Sequence, residues 1–326
     1  MKLLTVSGIS KQAGNEVVLK EVSFSQQQFQ KIAIAGETGS GKSTLLKIIA
    51  GFVQPESGTV WFKNERVLGP DEKLIPGHKG IAYLSQHFEL RNNYRVEELL
   101  EMANKIPDEE AELIFEVCQI KHLLKRRTDQ LSGGEKQRIA TARLLITSPE
   151  LLLLDEPFSN LDMVHKKVLK SVINDISEKL KITCIMISHD PLDTLPWADE
   201  IVVMKDGEII QTGTPVQIYR QPVSEYVAGL FGSYNLLTQR TASSFSLTTN
   251  AAGDKKVFTR PEDFKIVPNE EKALIGEVTG INFFGSYYEI DVMVDEISIT
   301  IKTEDSRLMK GDLVYVSLFL KEEWYL

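Results

Sequence analysis

Gly36-Glu37-Thr38-Gly39-Ser40-Gly41-Lys42-Ser43 fits the spacing G-x-x-x-x-G-K-[ST]. The apolar run Lys31–Ala35 before it reads as a strand. After it, Leu45, Leu46, Ile48 and Ile49 share one helical face, and the helix stops at Gly51. A glycine-rich turn between strand and helix lets several backbone N–H groups converge on one anion, and the helix N-terminus adds partial positive charge. Lys42 is placed to reach the β- and γ-phosphates of a nucleotide, and Ser43 to hold Mg²⁺ through its hydroxyl. With Thr44 in the same first turn, residues 36–44 form the candidate nucleotide-binding segment.

Outward from this turn, short β-rich runs at 59–62, 81–85, Leu151–Asp155, 183–188 and 201–204 alternate with helical patterns at 134–147 and 163–180. That alternation predicts a parallel sheet covered on both faces. Asp206-Gly207 marks a hairpin turn. The run Leu151–Asp155 ends on two carboxylates, Asp155 and Glu156, where open α/β sheets bind ligands. Asp155 suits Mg²⁺, and Glu156, turned differently, suits the water that attacks a γ-phosphate. Between Gln86 and Leu131 the pattern becomes helical and polar, which predicts a small helical insert at about 88–130. From Asn235 onward, five short alternating runs at 256–259, 273–279, 287–294, 297–302 and Leu313–Leu318 predict a small all-β barrel. The expected organisation is therefore residues 1–234 and 235–326.

Composition sets limits. The chain has 326 residues, a length that suggests two domains at about 100–200 residues each. Its net charge is −9, and residues 235–326 hold 10 Lys/Arg against 15 Asp/Glu, which argues against nucleic acid as a partner. A single nucleotide is a different matter, because backbone N–H groups, one lysine and a metal can hold it whatever the net charge. Two cysteines, Cys118 and Cys184, cannot build a disulfide framework and lack metal-ligand spacing. No apolar run reaches the length of a membrane span, and the first residues lack the form of a secretion signal. The residues alone read as a soluble cytosolic two-domain protein, and any membrane role must come through a partner.

Leu131-Ser132-Gly133-Gly134-Glu135-Lys136-Gln137-Arg138 adds a second N–H nest at a helix start. With it, the order of motifs resembles the ATP-binding subunits of ABC transporters. Gln86 resembles the Q-loop glutamine, residues 131–138 the signature motif, and Asp155 and Glu156 the magnesium aspartate and catalytic glutamate. Ser159-Asn160-Leu161-Asp162 resembles the D-loop, and His189 the switch histidine. The resemblance implies an ABC cassette of the P-loop NTPase class with a helical subdomain. It implies a head-to-tail homodimer around ATP and Mg²⁺, with Ser43, Gln86 and Asp155 at the metal. Glu156, His189 and Gln86 are then the catalytic set. Ser132, Gly133, Gly134, Glu135 and Asp162 contact the nucleotide held by the other copy.

Three departures stand out. Ala13 falls where the family usually stacks an aromatic ring on adenine. Glu37-Thr38 replaces a common Pro-Ser, at positions that need only backbone. Glu135 stands where importer subunits often have Gln. Thr259-Arg260-Pro261-Glu262-Asp263-Phe264 resembles the start of the TOBE domain of importer ATPases, which implies an OB-like barrel, integral membrane permease subunits and, indirectly, a solute-binding protein. His87, Phe88, Leu90 and Tyr94 are candidates to receive a permease helix. The short barrel leans towards an inorganic anion, ferric iron or a polyamine as solute. The alternative is a soluble mechanical ATPase with the same head, but those carry a long coiled coil where this chain has 44 residues between Gln86 and Leu131.

Overall fold

The computed structural model describes the chain apart from residues 87–89, 160, 248–254 and 269–272. Its internal contacts divide into two compact units, Met1–Pro215 and Val216–Leu326. His87, Phe88 and Asn160 lie outside the described residues, whereas Leu90 and Tyr94 are half-buried.

In the first unit, a six-stranded sheet runs in the order Glu208–Gly213, Glu200–Lys205, Lys31–Ala35, Thr183–Ile187, Leu151–Asp155, Ile81–Leu84. Five strands are parallel, and Glu208–Gly213 folds back as an antiparallel edge. Every residue of Leu151–Asp155 and Thr183–Ile187 is buried, as expected of strands covered on both faces. Because these strands are parallel and adjacent, the segments leaving Ala35, Ile187, Asp155 and Leu84 all emerge at one edge. That edge collects the phosphate loop, His189, Glu156 and Gln86.

A second sheet pairs Glu16–Gln27, Lys2–Ala13, Ser57–Phe62 and Glu65–Arg66, all antiparallel. Sequence reading had grouped 59–62 with the parallel strands and assigned no strand before Lys31. The pairing of Lys2–Ala13 with Glu16–Gln27 shifts register four times, and Gly8 has a φ of 60°. Each bulge moves the following side chains to the other face, so the period-2 pattern is erased. Leu4, Val6, Ile9, Leu19 and Val22 of this sheet close over Leu45, Leu46, Ile48 and Ile49 of the helix Lys42–Ile49 in one core. The helical insert consists of Val96–Glu101, Asp108–Val117 and two 3-10 turns. Among the described residues, its longest helix has 10 residues. Cys118 and Cys184 are buried free thiols, both pushed up to about 12 by burial.

The second unit carries a five-stranded antiparallel sheet in the order Phe264–Val267, Leu313–Leu318, Leu274–Phe283, Tyr288–Val294, Ile297–Thr303. Its edge strands also approach each other, and Val278, Ile290, Val292, Ile299, Ile301 and Val316 fill the interior. The run near 256–259, expected in this barrel, instead forms Val257–Thr259 of a separate three-stranded sheet with Asn235–Leu237 and Trp324–Tyr325. Phe264–Val267 takes the place expected for it. The helix Glu225–Leu230 falls in this unit, upstream of the 234/235 division read from composition.

Arg260 contributes to that placement. It is fully buried, and its guanidinium donates to the carbonyls of Tyr219, Ala228, Gly232 and Ser233 at 2.9–3.1 Å. It also stacks on Tyr219, 4.0 Å from the ring centroid. These carbonyls belong to the segment around Glu225–Leu230, so the arginine ties that segment to the β-rich unit. Among the described residues, no helix is long and apolar enough to cross a membrane.

Candidate active site

The phosphate loop leaves the sheet at Gly36 and enters the helix Lys42–Ile49 through Gly41, in left-handed backbone at φ 92°. A Cβ at Gly36 would lie 2.3 Å from the Met204 carbonyl oxygen, and one at Gly41 would lie 2.5 Å from that of Val18. Close packing on both sides therefore requires glycine at both ends of the turn. Lys42 is buried and donates from Nζ to Gly36 O (2.9 Å), Glu37 O (2.6 Å) and Ser40 Oγ (3.2 Å). Burial holds its pKa below the ordinary lysine value, against the attraction of Glu156, Asp155 and Glu37. The loop itself curves so that Glu37, Thr38 and Gly39 are exposed, while Ser43 and Thr44 are half-buried in the first helical turn.

Two carboxylates stand at the end of Leu151–Asp155, one strand removed from Lys31–Ala35 in the sheet. Ser43 Oγ donates to Asp155 Oδ1 at 2.9 Å, and the Tyr83 hydroxyl donates to Asp155 Oδ2 at 2.7 Å. A hydroxyl and a carboxylate converging from a helix start and a strand end are hard oxygen donors, a set that fits Mg²⁺. Glu156 has a φ of 48°, which turns its side chain away from that of Asp155. Its N–H donates to Ile187 O (3.1 Å), and its carbonyl accepts from Ser159 Oγ (2.8 Å), so the turn is held on both sides. Gln86 Nε2 donates to Glu156 Oε2 at 3.3 Å, and His189 Nδ1 lies 3.6 Å from the same oxygen. Gln86 therefore meets Glu156 through its nitrogen, which leaves Oε1 as the atom with lone pairs for a metal. Gln86, Glu156, Ser159 and His189 border a cavity of about 380 Å³.

The far wall of that cavity was not foreseen. Asp193 is buried and accepts from Ser188 Oγ (2.9 Å), while its other oxygen faces Lys166 (2.8 Å) and Lys170 (2.7 Å). Lys166 also pairs with Asp190 at 2.6 Å. Burial works against the Lys166 charge, but the two aspartates outweigh it and its pKa is raised. This network ties the helix Met163–Lys179 to the turn carrying His189. A lysine at i and i+4 opposite aspartates at 190 and 193 was visible as spacing, but only the fold places the two segments together.

The residues expected to act on the other copy's nucleotide form local arrangements. Ser132 caps the helix Gly133–Leu145: its Oγ accepts from Glu135 N (3.3 Å), and Glu135 Oε2 accepts from Ser132 N (2.8 Å). Arg126 holds the other oxygen of Glu135 at 3.0 Å. This capping box is a physical reason for glutamate at 135. Burial would raise its pKa, but the Ser132 and Arg126 contacts outweigh it and lower it. Asp162 caps the helix Met163–Lys179 by accepting from Val164 N and His165 N at 3.0 Å, with His165 Nδ1 at 2.6 Å. These contacts hold its carboxyl below the usual range. The His165 ring also lies under Gly134, where a Cβ would meet it at 2.9 Å. Gly133 has open space around it. The signature helix start and Asp162 thus meet across one imidazole, a contact that the sequence reading did not find.

A parallel sheet ending in this loop, with Ser43 on Asp155 beside Glu156, defines a P-loop nucleotide-binding protein. The family model described as "ABC transporter" matches residues 19–159. The chain is 32% identical to the spermidine/putrescine import ATP-binding protein PotA of Clostridium acetobutylicum, over 96% of this chain and 97% of that protein. It is 31% identical to the sulfate/thiosulfate import ATP-binding protein CysA of Synechocystis sp., covering 89% of this chain and 84% of that one. Among solved structures, the dimeric post-hydrolysis state of the ATP-binding cassette MJ0796 with ADP and Pi superimposes with a TM-score of 0.56 and 26% identity. That match covers 65% of this chain and 99% of the other. The chain belongs to the ABC transporter ATPase family.

Proposed function

We propose that this chain is the ATP-hydrolysing subunit of an ABC importer, acting as two head-to-tail copies beneath membrane permease subunits on the cytoplasmic side. The observation that supports this most strongly is the meeting of Gln86 Nε2 and His189 Nδ1 on Glu156 Oε2, at 3.3 and 3.6 Å, beside the Ser43–Asp155 pair. The loop 36–44 binds the phosphates through backbone N–H groups, and Lys42 exchanges carbonyl partners for phosphate oxygens. Ser43, Asp155 and Gln86 would hold Mg²⁺, which would supply positive charge to the nucleotide phosphates. Glu156 accepts a proton from the attacking water, and His189 keeps water and γ-phosphate in line. Ser132 Oγ already accepts from Glu135 N, so its own proton is available for the γ-phosphate on the other copy. Gly133, Gly134 and Glu135 complete that anion nest, and Asp162 lies beside it through His165. Closure around two ATP molecules is favoured because both copies contribute to each site, and loss of phosphate reopens it.

The relatives named for spermidine/putrescine and sulfate/thiosulfate import suggest a small charged solute here, delivered by a separate binding protein. A mechanical, transport-free ATPase is less well supported, since the described helices between Gln86 and Leu131 are short. The test is Glu156→Gln, which keeps size and shape but removes the base. Its ATPase rate is expected to fall about 10²–10⁴-fold, with ATP-dependent dimers accumulating in gel filtration. Hydrolysis at the parent rate would remove Glu156 from the mechanism.

A further inference from the structure

Asp155 receives a hydrogen bond on each oxygen, and only one of them comes from the phosphate-loop helix. The other comes from Tyr83, in the strand Ile81–Leu84. That strand runs parallel to Leu151–Asp155, with Tyr83 opposite Leu153. Asp155 is two residues beyond Leu153, so it projects on the same face as the tyrosine. The aromatic side chain spans that offset, and its hydroxyl meets Asp155 Oδ2 at 2.7 Å. The Tyr83 ring is half-buried and rests against Phe52 at 5.9 Å between centroids, which limits its rotation. Its hydroxyl is the donor, because a carboxylate oxygen can only accept.

The consequence is geometric. A carboxylate on a single bond can rotate, and Ser43 alone fixes one oxygen. A second donor on Oδ2 sets the plane of the group and keeps Oδ1 on the Ser43 side. We infer that Tyr83 is a positioning residue for the metal: it orients Asp155 so that Mg²⁺ meets a fixed oxygen instead of a rotating one. Partners one bond removed from a metal contact commonly change metal affinity by 10–100-fold when lost. Three residues along, Gln86 does for Glu156 what Tyr83 does for Asp155. One strand and its exit thus supply a donor to each of the two adjacent carboxylates.

This inference rests on the reading that Ser43 and Asp155 hold the Mg²⁺ of bound ATP. The test is Tyr83→Phe, which keeps the ring against Phe52 and removes only the hydroxyl. Binding of a fluorescent ATP analogue to the full chain is titrated with Mg²⁺, and separately measured in EDTA. Mn²⁺ binding by electron paramagnetic resonance gives a readout independent of turnover. The expected result is a metal midpoint weakened about tenfold, with nucleotide affinity in EDTA unchanged. An unchanged or tighter midpoint in the variant, against a normal metal response in the parent, would overturn the role of Tyr83 alone. Equal weakening with and without metal would also overturn it, because Tyr83 would then only support the loop. A parent that binds the analogue equally well with and without Mg²⁺ would overturn the metal reading itself, and the inference with it.

Discussion

Single residues in this chain carry opposing demands. Lys42 is placed for phosphate but lies buried, and burial lowers its pKa in the folded state. Between the folded value and the higher unfolded one, the unfolded chain binds more protons, so this lysine makes stability rise with pH in that interval. Lys42→Met removes the contribution. The urea midpoint of the parent, relative to that of the variant, is expected to climb as pH goes from 7 towards the lysine range. ATP affinity of the variant should fall about 10–100-fold, the equivalent of one charged hydrogen bond. A pH-independent gap between the two proteins would contradict the cause given for the shift. At this scale the sequence was legible where identity and spacing mark a candidate, as in residues 36–44, Asp155, Glu156 and His189, which the fold gathers at one edge of the sheet. It was silent on Tyr83, because a tyrosine two residues from a strand end carries no spacing signal. Only the parallel register Tyr83–Leu153 brings it to Asp155.

Elements were legible in proportion to the regularity of their pattern. The runs 151–154 and 184–187 are uninterrupted and apolar, so the strands Leu151–Asp155 and Thr183–Ile187 matched their expectation closely, and the helical pattern between Gln86 and Leu131 holds Asp108–Val117. Lys2–Ala13 and Glu16–Gln27 are longer than any of these, yet their bulges hid them. The helix Gly133–Leu145 shows an element serving two purposes. Its Ser132 cap satisfies the helix, and the same hydroxyl is the proposed donor to the opposite nucleotide. Ser132→Ala is expected to cost about 1 kcal/mol of stability from the lost cap. It should also abolish the ATP-dependent dimer that Glu156→Gln accumulates. Ser132→Thr, which retains a hydroxyl, should restore the cap. If Ser132→Ala in the Glu156→Gln background still formed the dimer fully, the serine would be a cap and nothing more.

At the scale of the whole molecule, one buried charge joins residues 219–233 to the β-rich part of the second unit, alongside Tyr219–Glu262, Arg220–Asp263 and Trp324–Pro222. Residues 259–264 were recognised as a motif, but not that Arg260 would turn backwards to hold the carbonyls of Tyr219, Ala228, Gly232 and Ser233. Arg260→Met fills a similar volume but takes the guanidinium away from those carbonyls, leaving Ala228 O with the N–H of Phe231 at 3.4 Å. Hydrogen bonds to a charged group contribute about 1.5–3 kcal/mol each, so the second unit should lose at least about 3 kcal/mol. Limited proteolysis is expected to cut within residues 216–326 while nucleotide binding is kept, and an unaltered digestion pattern would count against the arginine as its anchor. The two thiols have a practical consequence. Cys118 and Cys184 are both buried, with thiolate formation pushed to about 12. At neutral pH they offer almost no nucleophile to maleimides or oxidants. A single cysteine introduced at exposed Met163, next to Asp162, would be the only fast-reacting thiol on the folded chain. The wild-type background therefore needs no cysteine removal before spectroscopic labels or cross-linkers are used to follow how two copies approach and separate.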